Sequence, residues 1–367
     1  MVRQQEFNNE KYCFDKEHLL NAIKKGEHIL QSGKLSFNRH RAIKQDIETF
    51  KRYLNGNFEM VYINSYNRVL PNDFKGLKDY ILGRMQKQYK ILGKDLILWV
   101  MRLAQAEIFL DNDELTLDTS DLSFESRIEL TIKNYEKNSE RALTVAKDIL
   151  LDDTIKQIQL VDDFGSYCYH ADITKNSYLI IEREEIPCVL NHELEHCVER
   201  KLNYHPHMFY GELGSIYYEM LFNDELYKSR GYLVGPDVLS RIDEVGYLLE
   251  TLYTYFKVML LFASKNFDVS LKEFSQAFIE IDGVIPDLLE EYLREEIASD
   301  EILDNMNYLF SFLKAIELRE KRIITNSSQF NILDHYLKLK YFYFRIPSDG
   351  FSVYDRYMEE MYQKVRK

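Results

Sequence analysis

Seven residues, Asn191 to Cys197, read NHELEHC and set His192 and His196 four positions apart, with Glu193 next to the first. On a helix that offset puts both imidazoles on one face, one turn apart, so two ring nitrogens can reach a single cation. Zinc accepts imidazole nitrogen and carboxylate oxygen in tetrahedral geometry, and a catalytic site leaves its fourth position to water. Glu193 is then placed to take a proton from that water. Five letters also recur by chance, and two histidines on an exposed helix can simply pair with Glu195 and Glu199. The surroundings have to decide.

A third ligand must come from another element. Downstream, GELGSIYYEMLFNDEL carries Glu212, Ser215 and Glu219 at offsets of three and seven, nearly one face of a helix. The connecting NYHPHMFYG contains Pro206, which turns the chain, and Glu212 follows His196 by 16 positions, enough for one helix to finish and a second to return. Upstream, SYLIIER (177 to 183) reads as a strand, and as a possible sheet edge to which an extended peptide could add. Two other zinc patterns fail on the letters. H-E-x-x-H-x-x-G-x-x-H needs glycine and histidine where Glu199 and Leu202 stand, and a downstream E-x-x-x-D needs aspartate where Ile216 stands.

The elements around these residues read as mainly α. From residue 1 to 109 apolar positions recur at three and four (Leu77, Tyr80, Ile81, Met85; then Leu96, Leu98, Val100, Leu103), predicting successive amphipathic helices. The acidic stretch LDNDELTLDTSDLSFES, 110 to 126, marks a soft boundary between an N-terminal helical region (1–109) and a body (110–367) that carries the motifs. Helix is expected from Arg127 to Leu151, then a small sheet between about 156 and 183 from QIQLVDD, SYCYHADI and SYLIIER. Pro187 opens a helix to about Leu202, and a second is expected from about Phe209 to Lys228. The rest reads as helix, broken near Gly235-Pro236, Gly283 to Pro286 and Pro347.

At this point the residues resemble the thimet oligopeptidase and oligoendopeptidase F peptidases, in which H-E-x-x-H is followed by a helix with E-x-x-S-x-x-x-E. DDFGSYCYHADITKNSYLIIEREEIPCVLNHELEH is similar to that family's G-A-Y-C strand, loop, second strand and zinc helix, in the same order. The resemblance covers about residues 110 to 230 and implies a zincin-like helical metallopeptidase with a small β-sheet next to the zinc helix. It implies Zn2+ as cofactor, His192, His196 and Glu212 as ligands, Glu193 as general base, Glu219 as a carboxylate orienting a ligand histidine, and Ser215 as packing. It also implies a His- and Tyr-rich segment near the carboxyl end that binds substrate; the nearest match is His335 with Tyr341 and Tyr343, and Tyr308 is a rival. Substrates would be short unfolded peptides entering a deep cleft between helical lobes. The chain departs from the pattern in having Glu195 where the motif usually has glycine, a shorter gap from His196 to Glu212, and a shorter length. A degenerate relative that binds peptides or a protein partner without turnover is therefore the alternative, and a helical interaction protein without metal is the third.

The charge balance, 60 acidic against 47 basic side chains for a net −13, argues against nucleic acid and anionic membrane surfaces as partners, which are held by clustered Lys and Arg. The first 20 residues lack the apolar core of a signal peptide, and Leu252 to Ala263 is short and carries Lys257, so a cytoplasmic protein with no membrane span is expected. Cys13, Cys168, Cys188 and Cys197 show no C-x-x-C spacing and read as reduced, small, partly buried residues. His170, His205 and His207 are read as loop or strand residues rather than ligands.

Overall fold

Short polar side chains start many of the helices by accepting backbone N–H groups that a first turn leaves without partners. Asp15 caps α1 (Lys16–Gln31), Ser36 caps α2 (Phe37–Leu54), Asp73 caps α3 (Phe74–Leu92) and Ser123 caps α5 (Phe124–Glu136); α4 (Lys94–Gln105) instead follows Gly93 directly. The computed structural model describes residues 12–33, 35–60, 70–106, 122–137, 139–152, 155–162, 164–183, 187–204, 207–233, 235–325 and 342–365. The expected boundary at 109/110 lies outside them.

The helix expected to run unbroken from Arg127 to Leu151 is two helices, α5 and α6 (Glu140–Leu151). Ser139 lies between them and turns its hydroxyl onto the Ala142 N–H, starting a new helix where periodicity alone shows only continuity. β1 (Ile158–Val161), β2 (Tyr167–His170) and β3 (Ser177–Glu182) form one sheet in the order β1-β3-β2, with β1 parallel and β2 antiparallel to β3. The SYLIIER strand is thus central, not the edge expected of it. Its side chains explain why: Tyr178 and Ile180 enter one core while Leu179 and Ile181 enter another, so both faces are buried and both ladders are taken. The edges are β1, whose Leu160 N–H donates to the Tyr12 carbonyl, and β2.

The smaller core joins α1 and α2 to the sheet through Leu19, Ile43, Phe50, Tyr53 and Tyr178. The larger core holds α3 and α4 together with the remaining helices: α7 (Val189–Leu202), α8 (Leu213–Arg230), α9 (Gly235–Ser264), α10 (Leu271–Ile281), the short α11 (Leu289–Tyr292), α12 (Glu301–Thr325) and α13 (Ser352–Lys364). The molecule is mainly helical with one small sheet. The second helix of the motif region begins at Leu213, later than the Phe209 expected, because Gly211 and Glu212 form a turn ahead of it. Among the described residues, one stretch of α9, Arg241–Ser264, is long and apolar enough to cross a bilayer; 56% of its most apolar window is buried against the protein.

α7 is buried nearly all round, against α8, β2, β3, α6 and α5. Asn203 ends it in the left-handed conformation, at φ 56°. α8 also packs against α12, and α13 is tied to both by Arg319, which donates to Asp224 at 2.6 and 3.0 Å and to Glu360 at 2.6 and 2.9 Å.

Candidate metal centre

Because α7 is helical across the motif, His192 and His196 share a face, and their Nε2 atoms stand 3.3 Å apart. α8 packs against this face, and Glu212, in the turn just ahead of its first residue Leu213, is presented to the histidines: Glu212 Oε2 lies 3.3 Å from His192 Nε2 and 3.0 Å from His196 Nε2. For nitrogen and oxygen ligands at about 2.0–2.1 Å from an ion, the edge of a tetrahedron is about 3.3 Å. The three separations therefore match one face of a tetrahedral site, and His192, His196 and Glu212 form a group that could hold a metal ion. Glu212 Oε2 is buried and faces the two imidazole nitrogens, an arrangement that a cation would complete once the ring protons leave.

Electrostatics support the same use. Burial opposes charge on His192, yet the carboxylates of Glu219, Glu212 and Glu193 outweigh it and push its pKa up to about 10. His196 is raised in the same way, burial being overcome by Glu212. Burial would raise Glu212, but the two imidazoles hold it well below the usual carboxylate range. Without an ion, protons on the rings balance the carboxylates; the cluster is built for positive charge.

Glu219 stands two turns along α8 from Glu212, with Oε1 2.8 Å from His192 Nδ1. It is itself clamped by Arg241 of α9, whose Nη2 donates to Oε1 at 2.8 Å and whose Nε donates to Oε2 at 3.2 Å. The chain continues to Glu244, 2.6 Å from Arg241 Nη1. Ser215 does more than pack: its fully buried hydroxyl lies 3.3 Å from Nδ1 and 3.2 Å from Nε2 of His196, against the edge of the ring between them. Glu193 is half-buried beside His192, and its charge acts on both imidazoles. His196 keeps a side-chain exposure of 28%, so the cluster opens to solvent on its side while His192 is closed at 4%.

Glu195 does not intrude on the cluster. It is fully buried on the flank of α7 that meets α5, where the Tyr135 hydroxyl donates to its Oε2 at 2.5 Å. Burial and the neighbouring Glu199 charge raise its pKa well above the carboxylate range, against the lowering effect of Tyr135.

The remaining sequence candidates are dispersed. His335 and Tyr341 lie outside the described residues, as does His205. The Tyr343 side chain is 66% exposed, and its carbonyl accepts from the Tyr210 hydroxyl at 2.6 Å. Tyr308 of α12 lies with its ring parallel to His192 at 6.5 Å, and burial together with the Glu212 charge raises its pKa. His170 pairs with Ser177 on the sheet, its pKa lowered to about 4 by burial and by Arg200 and Lys201; His207 packs among Phe209 and Phe342. A cavity of about 320 Å³ lined by Tyr12, Glu125, Glu129, Asp152 and Lys156 shares no residue with the cluster.

Sequence reasoning missed Asn307 and Arg241. Asn307 Oδ1 accepts the backbone N–H of Gly211 at 2.5 Å and of Glu212 at 3.3 Å, fixing the turn that presents Glu212. Both residues are far from the motif in sequence, and each looks like an ordinary polar position on a helix. Neither stands out from its polar neighbours, Asp304 and Asn305 for the first and Asp243 and Glu244 for the second.

No protein-family model matches the chain, and no curated protein matches it. Among solved structures, one from Chlamydophila abortus described as a "putative peptidase" aligns with a TM-score of 0.40 at 11% identity, over 95% of this chain and 63% of that one. This chain thus spans less than two thirds of that protein's length. A superposition so loose establishes neither fold family nor activity.

Proposed function

We propose that the protein is a zinc-dependent peptidase of the oligoendopeptidase type acting on short unfolded peptides. The observation that carries this reading is the triangle of His192 Nε2, His196 Nε2 and Glu212 Oε2, with edges of 3.0 to 3.3 Å, beside a half-buried Glu193. Two imidazoles and one carboxylate are the donor set of zinc in metallopeptidases, which leaves one position free.

When bound, zinc supplies Lewis acidity that brings the ionisation of water towards neutral pH and polarises a carbonyl. The chain's residues do the rest. Glu193 accepts the proton of the attacking water on its carboxylate and passes it to the leaving amine. Glu219 holds His192 by Nδ1, which leaves Nε2 directed at the ligand position. The Tyr308 hydroxyl, if it reaches substrate, does so as a neutral donor, because burial and Glu212 keep it protonated. Glu195, turned onto Tyr135, leaves the cluster intact, which favours turnover over the degenerate alternative.

The test is metal analysis of the purified protein with digestion of a mixed peptide library, with and without chelator. Glu193→Gln is expected to keep its metal and lose activity by a factor of about 10²–10⁴, the usual contribution of a general base, and Glu212→Ala to lose the metal. Equal activity in wild type and Glu193→Gln would refute the mechanism.

A further inference from the structure

Cys168 on β2 and Cys197 on α7 are free thiols whose Sγ atoms stand 2.6 Å apart. Non-bonded heavy atoms settle at about 3.5–4.0 Å, so the two sulfurs are already inside ordinary contact. The helix is held by the larger core and the strand lies between both cores, with Cys197 fully buried and Cys168 half-buried at the sheet edge against the larger core, so neither backbone has to move far to bring the thiols together. Nothing in the metal cluster uses them, although Cys197 directly follows His196.

We infer that Cys168 and Cys197 are a site of reversible disulfide formation, which ties the β2 edge of the sheet to the helix that carries both histidines. With hydrogen peroxide as oxidant the atoms balance. The Cys168 sulfur, the more exposed, attacks one peroxide oxygen, the O–O bond breaks, and Cys168 becomes a sulfenic acid as hydroxide leaves. The Cys197 sulfur then attacks the Cys168 sulfur, the S–S bond forms, and a second hydroxide leaves. The two thiol protons convert both hydroxides to water, and the two electrons lost by the thiols reduce the peroxide. The thiol neighbour and burial hold Cys168 protonated, which sets the rate of this chemistry and not its end point.

The inference does not rest on the peptidase reading, and its test needs no activity. The full chain is incubated with hydrogen peroxide until the reaction is complete, denatured, alkylated and analysed by mass spectrometry, with a parallel sample then treated with dithiothreitol. The chain has four cysteines. The expected result is loss of two hydrogens from the intact mass, alkylation at Cys13 and Cys188 only, a cross-linked pair of peptides containing Cys168 and Cys197, and recovery of all thiols with dithiothreitol. Cys168→Ser and Cys197→Ser should each abolish the cross-link. Alkylation of all four cysteines after peroxide, over-oxidation of Cys168 without a cross-link, or a cross-link to Cys13 or Cys188 would each overturn it.

Discussion

His192 stands between two carboxylates of one element, its Nδ1 2.8 Å from Glu219 Oε1 and its Nε2 3.3 Å from Glu212 Oε2. The first contact fixes the ring's orientation, and the second turns Nε2 towards His196 and Glu212. Glu219 stays ionised in the interior because Arg241 compensates it on both oxygens and the His192 ring faces it. Glu219→Gln is expected to weaken metal affinity by about 10–100-fold, as loss of such an orienting partner usually does. Arg241→Ala strands a buried carboxylate and should cost about 3–5 kcal/mol of stability. Competition with a metal-binding dye measures the first, and urea unfolding the second.

The turn that presents Glu212 depends on Asn307. Asn307→Ala leaves the N–H groups of Gly211 and Glu212 without their acceptor, at a cost of about 1–3 kcal/mol. Because the loss falls on the ligand turn, thermal unfolding should show a smaller stabilisation by added zinc than wild type shows. Gly211→Ala should act in the same direction, since its Cβ would meet Asn307 Nδ2 at 2.9 Å. Unchanged stabilisation by zinc in both variants would separate Asn307 from the ligand turn.

Loading metal should release protons. The folded, metal-free protein holds His192 protonated with a pKa of about 10 and raises His196 as well, both against burial and in favour of the surrounding carboxylates. An ion must displace the proton on the His192 ring, so proton release is expected on zinc binding at pH 7, and affinity should rise with pH. Calorimetric titration in buffers of different ionisation enthalpy counts the protons released, and a count of zero would contradict the protonated cluster.

Glu195 should make stability depend on pH in a recognisable direction. Its folded pKa lies well above the unfolded value of 4.5, so the folded state binds the proton more tightly. That contribution is fully present below 4.5 and is lost as pH rises towards the folded pKa. Glu195→Gln, which mimics the protonated acid, should therefore gain stability relative to wild type as pH goes from about 5 to about 8. It should keep its metal, since the side chain faces Tyr135. Parallel pH profiles of the two proteins in denaturant would exclude a buried proton.

Much of the fold was legible because its signals are local. Periodicity gave α3 and α4 through Leu77, Ile81, Met85, Leu96 and Leu103, all buried, and the short β-branched and aromatic run in SYLIIER gave β3. Local signals also fail in local ways. Ser139 divides a helix that periodicity joins, and the neighbours of β3 follow from chain crossing that no alternation encodes.

The sequence by itself determined the pairing of His192 and His196, since a helical offset of four is a matter of backbone geometry alone. It also supplied Glu212 and Glu219 on one face of a second helix. Only the tertiary structure brought that face to the histidines, with Asn307 shaping the turn and Arg241 neutralising Glu219 from another helix. It also decided that Glu195 is turned away and that Cys168 meets Cys197. Those relationships depend on which surfaces the packed cores bury together. Burial is set by contacts between residues distant in the chain, and spacing along the chain does not record them.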